Sequence, residues 1–173
     1  MRGVQSSTLH AAGLSAWRER YPKVEGNPRK LERLVRQIAG EQPGRRWRPY
    51  YDYAVDMVHF TMAAGLGLTD PRELRNDRLW KKVEDHFDVD RALPPADEVG
   101  ADHTTRQRIG LQLAQALMQR SLEVCPEVIT YDEMLYAPVH FGCQVQQFDN
   151  VLLDEAQDSN VPRIELTERM MSA

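Results

Sequence analysis

Apolar residues recur at helical spacing along most of this chain, and strand-like runs stand only near its two ends. Val4 to Leu9 reads as a short strand running into Thr8-Leu9-His10, and Asn150 to Leu153 as a buried-type strand. Between them the pattern is helical. Ala11 to Arg20 offers Ala12, Leu14, Ala16 and Trp17 for packing. Asn27-Pro28 is a helix start, followed by Leu31, Leu34, Val35 and Ile38 at i, i+3, i+4, i+7 as far as Gly40. Tyr50 to Leu66, a stretch opened by Thr69-Asp70-Pro71, a helix from about Asp77 carrying Leu79, Trp80, Val83 and Phe87, and a long helix from about Thr104 to Val124 complete the middle. Thr130 and Glu133 have the spacing of a capping box and open a short helix through Leu135, and Pro162 to Met171 is helical again. The expectation is an α/β chain that is predominantly helical.

The run VLLDEAQDSN concentrates the chemistry. A strand ending in Asp154-Glu155 puts two carboxylates at the carboxyl edge of a parallel sheet, where α/β proteins bind ligands. One carboxylate can hold Mg²⁺, a cation that prefers hard oxygens, and the next can orient or deprotonate water. A surface turn, with Asp158 or Ser159 capping the following helix, satisfies the same residues.

Charge is divided unevenly. Residues 1 to 53 carry 11 Lys+Arg against 5 Asp+Glu, and the rest 11 against 21. A basic part beside an acidic part suits a nucleic-acid face next to a metal or nucleotide site, and equally two differently solvated surfaces. RRWRPYYDY, residues 45 to 53, places Arg45, Arg46 and Trp47 where phosphate contact and base stacking are available, or where the aromatics pack inward. Trp17 and Trp80 read as core. His59, His86, His103 and His140 show no metal spacing, and Cys125 and Cys143 read as reduced thiols. No apolar run approaches the ~20 residues of a membrane span, and MRGVQSSTLH lacks the apolar core of a signal peptide, so a cytoplasmic protein is the default expectation.

Two segments together resemble superfamily 1 DNA helicases of the UvrD/Rep/PcrA type, in particular phage and bacterial UvrD-like members. ITYDEMLYAP followed by FDNVLLDEAQDSNVPRIEL is similar to the family's aromatic-Asp-acid helix and its DE-x-Q-D Walker B motif. SSTLHAAGLSAWRERYPKVEGNPRKLERLV is similar to the T-x-H segment and the helices after it. The likeness is specific over residues 4 to 38 and 128 to 166 and vague from 40 to 125. It implies a partial RecA-like parallel sheet of the P-loop NTPase type, with residues 1–39 and 126–173 in the motor domain and 40–125 as a helical insertion subdomain. By the same resemblance Asp154 is the magnesium ligand and Glu155 the general base. Gln157 and Asp158 couple the nucleotide site to neighbouring motifs, and Thr8 and His10 contact single-stranded DNA. Mg²⁺ and ATP are the implied cofactors.

The phosphate cradle that such chemistry requires is missing from these 173 residues. None of the four lysines, Lys23, Lys30, Lys81 and Lys82, follows a glycine or precedes Ser or Thr, so G-x-x-x-x-G-K-[ST] is absent. The chain reads as the middle of a helicase's first motor domain, without ATPase activity alone. Two functions are then expected. One is a helicase portion completed by another segment. The other is a binding or inhibitory module that engages single-stranded DNA, or a helicase or nuclease partner. An uncompleted sheet edge implies marginal stability or a partner strand.

Overall fold

The computed structural model describes residues 7–41, 47–154 and 156–171. Among these the chain is mostly helical, with one two-stranded parallel sheet. In order, the elements are α1 (Leu9–Arg20), β1 (Glu25–Gly26), α2 (Lys30–Glu41), α3 (Tyr51–Ala63), α4 (Asp77–Phe87), α5 (Ala96–Val99), α6 (His103–Val124), β2 (Val128–Ile129), α7 (Glu133–His140) and α8 (Val161–Met170), with short 3₁₀ turns between several of them.

The helix starts follow from side-chain caps. Thr8 holds an extended backbone and its Oγ1 accepts from the Ala11 amide at 3.1 Å. Asn76 caps α4 through the Arg78 amide, Asp102 caps α6 through Thr105, and Asn160 caps α8 through Arg163. Each supplies an acceptor to an amide that has no partner within its own helix.

The main core is built around α3 and α6. The α2 stripe, Leu31, Leu34, Val35 and Ile38, is buried there with Tyr53, Met57, Leu113 and Leu117. Trp80 lies in the same core, its indole N–H donating to the Leu74 carbonyl at 3.0 Å. Leu135, Tyr136 and Leu166 join it from α7 and α8, so one core runs through both segments assigned to the motor and through the middle of the chain. A smaller core holds Trp17, Val24, Cys125, Ile129 and Ala137, and Trp17 donates to the Cys125 carbonyl at 3.1 Å. Both cysteines are buried free thiols.

The strands stand elsewhere than expected. Glu25 pairs with Val128 and Gly26 with Ile129, in parallel. Of the first expected strand, residues 4–6 lie outside the described residues, Thr8 is a helix cap and Leu9 opens α1. Residues 151–153 join no ladder, and Leu152 is 98% exposed. A three-residue apolar run is too short to hold a strand without a pairing neighbour. The nearest pairing is a single parallel bridge between Phe148 and Met171, where the Phe148 amide donates to the Met170 carbonyl at 2.8 Å.

Candidate functional site: a cleft at the α1 N-terminus

The start of α1, the Thr130–Glu133 turn before α7, the 145–154 segment and α8 enclose a cleft of about 1240 Å³. It gathers Thr8 and His10 from one end of the chain with Tyr131, Asp154 and Arg163 from the other. Thr8 is held at the mouth by its capping bond. His10, in the first turn of the helix, stacks on Tyr131 with ring centroids 3.5 Å apart and planes 16° from parallel. Burial, and then the Arg163 guanidinium, hold the His10 pKa below its ordinary value, with Asp132 pulling the other way. Tyr131 keeps 59% of its surface exposed, so one aromatic edge of the cleft faces solvent.

The turn carrying Tyr131 is fixed at both ends. Thr130 and Glu133 make both bonds of a capping box: the Thr130 amide donates to Glu133 Oε2 at 2.7 Å and the Glu133 amide to Thr130 Oγ1 at 3.2 Å. Glu133 is fully buried and also accepts from Lys30 Nζ at 2.8 Å on each carboxylate oxygen, and from Ser121 Oγ at 2.5 Å. Lys30 completes its shell at the Ser121 carbonyl, 2.8 Å away. Asp132 bonds His59 Nδ1 of α3 at 2.5 Å, with about two-fifths of each side chain exposed. That bond, ahead of an opposing effect of burial, raises the His59 pKa.

Sequence reasoning placed Thr8, His10 and Asp154 as site residues, and all three line this cleft. Glu155, Arg45 and Arg46 lie outside the described residues. Gln157 and Asp158 sit in a one-turn 3₁₀ helix after the cleft, where the Asp158 carbonyl accepts from Arg163 at 3.4 Å. Asn160, rather than Asp158 or Ser159, caps α8. Trp47 is 5% exposed within the main core, together with Tyr50 and Tyr53, so of its two readings inward packing is the one realised. A base could stack on it only if that core opened.

Tyr131, Asp132, His59 and Arg163 were not singled out from sequence. The TYDE tetrapeptide was legible as a capping box, but its outward pair, Tyr131 and Asp132, carried no spacing signal. Their partners His10 and His59 lie more than 70 residues away.

A triphosphate does not fit the described lining by itself. Arg163 is its one arginine, and it contains no lysine and no glycine, while Glu19, Asp149 and Asp154 contribute negative charge. Nor do the described residues gather three or more His, Cys, Asp or Glu side chains in a metal-holding arrangement. No described helix is long and apolar enough to cross a membrane. In comparisons with known proteins, no family model, curated protein or solved structure matches this chain.

Proposed function

We propose that this chain is a UvrD-like helicase portion that offers single-stranded DNA a contact surface and holds one half of a nucleotide site. The observation that carries the reading is the cleft, which unites Thr8 and His10 with Asp154 across some 140 residues of sequence. By the resemblance Thr8 and His10 touch single-stranded DNA and Asp154 serves the nucleotide's magnesium, and their lining of one concave surface is compatible with a DNA contact lying beside half of a nucleotide site. In this reading the RecA-like sheet, Mg²⁺ and ATP all depend on a further segment that brings the phosphate cradle. Asp154 and Glu155 would then supply oxygen ligands and a base to a site they cannot form alone.

A single-stranded oligonucleotide titrated against the protein at several salt concentrations tests the DNA half of the reading. Binding should weaken as salt rises, because phosphate contacts release counterions. Changing His10 and Arg163 to Ala should weaken it further. Mg²⁺-ATP should not be hydrolysed until a P-loop-bearing segment is added, and Glu155→Gln should abolish whatever hydrolysis then appears. Hydrolysis by the pure chain would sink this account. A stand-alone binding module derived from a helicase is the second reading, favoured by the missing cradle. It predicts oligonucleotide binding with no nucleotide binding under any complementation.

A further inference from the structure

The 131–132 turn is gripped from two sides by histidines of different helices. His10 of α1 stacks on Tyr131, and His59 of α3 bonds Asp132. The capping box pins the turn at Thr130 and Glu133, so what remains adjustable is the Tyr131-Asp132 pair between them. The two grips differ in chemistry. A stack between aromatic rings needs no charge, whereas His59–Asp132 is an ion pair only when the imidazole carries its proton. Both partners of that pair are partly exposed, so solvent protons reach it without unfolding.

We propose that His59 and Asp132 form a proton-operated clasp that sets the position of Tyr131 in the cleft wall. With His59 protonated, the ion pair anchors Asp132 to α3 and holds its neighbour Tyr131 against His10. Loss of the proton leaves one hydrogen bond from a neutral imidazole to the carboxylate, without the attraction between opposite charges, a weaker tether, and the Tyr131 ring gains freedom at the cleft mouth. The other groups facing His59 are the carboxylates of Asp56 on α3 and Glu32 on α2, and both favour the same protonated state. Facing His10 are Arg163 on α8, which disfavours a charge there, and Asp132, which favours one. Protonation is therefore disfavoured at the stack and favoured at the clasp. The clasp is a property of the protein alone. Its effect on a ligand rests on the cleft being the binding site proposed above.

The test is an NMR pH titration of the full chain, following the His59 ring and the Tyr131 ring in the free protein and then oligonucleotide affinity across the same range at fixed salt. His59 should titrate above the ordinary histidine value of 6.5, and the Tyr131 ring signals should move with the same midpoint. Asp132→Asn should lower the His59 midpoint and uncouple Tyr131 from it. His59→Gln should leave Tyr131 insensitive to pH near neutrality, which guards against an Asp132 variant that fails to fold. A His59 midpoint at or below 6.5, or Tyr131 signals that ignore it, overturns the clasp. If the clasp titrates as described but no oligonucleotide binds, the clasp stands and the DNA reading falls.

Discussion

Glu133 is the residue on which most of the buried polar chemistry converges. Its two oxygens accept from Lys30, Ser121 and the Thr130 amide, all out of contact with water. Glu133→Gln removes the charge that neutralises Lys30 and should cost about 3–5 kcal/mol, because an ammonium is left buried without its partner. Replacing both, as Lys30→Met with Glu133→Leu, should cost less than the sum of the single changes. Urea denaturation of the four proteins of the cycle measures the coupling. Gly13 is constrained differently. A Cβ there would lie 2.0 Å from the Met134 carbonyl oxygen, because α1 and the start of α7 approach backbone to backbone. Gly13→Ala should therefore destabilise by about 1–3 kcal/mol despite the better helix propensity of alanine, and a lowered thermal midpoint would show it.

Helices were the elements most readily read from sequence, because their signals are local. Asn76 both opens α4 and accepts from the Arg78 amide, and Asn76→Ala should cost about 1 kcal/mol in a denaturation experiment. The α2 stripe, the ends of α6 and the capping box at Thr130 were legible for the same reason: a period or an i, i+3 spacing fixes them without reference to the rest of the chain. The strands were not legible. Val128-Ile129 and Glu25-Gly26 are two residues each, and they pair because α1, α2, α6 and α7 bring their ends together. Val151-Leu152-Leu153 looked like a strand by composition alone, but composition does not provide a neighbour. Thr8, His10 and Asp154 were singled out from the sequence through the resemblance, for separate roles, and the fold brings them to one cleft. Tyr131 and Arg163 in its lining, and the Asp132–His59 pair behind Tyr131, depend on tertiary pairing that leaves no trace in spacing.

For the whole molecule, the two histidines that grip the 131–132 turn pull the pH dependence of stability in opposite directions. His59 has a raised pKa in the folded state, so its contribution is complete below 6.5 and is lost as pH climbs through the folded value. His10, and His140 against the Gly67 carbonyl, have lowered values, so the fold loses stability as pH falls below 6.5 towards theirs. As far as the histidines govern it, stability should peak near that pH. Thermal midpoints taken from about pH 5 to about pH 8 should show the maximum, and His59→Gln should flatten the alkaline side alone. The Thr130–Glu133 turn adds a constraint that belongs to synthesis rather than equilibrium. Its side-chain partners His10, Lys30, His59 and Ser121 all precede it in the chain. A ribosome therefore delivers the four helices that carry these partners before it delivers the segment that locks them to one another. Until Glu133 emerges, Lys30 has no carboxylate to be buried against. A nascent chain halted before that point should remain open to proteases, and one extended past it should close in a single step.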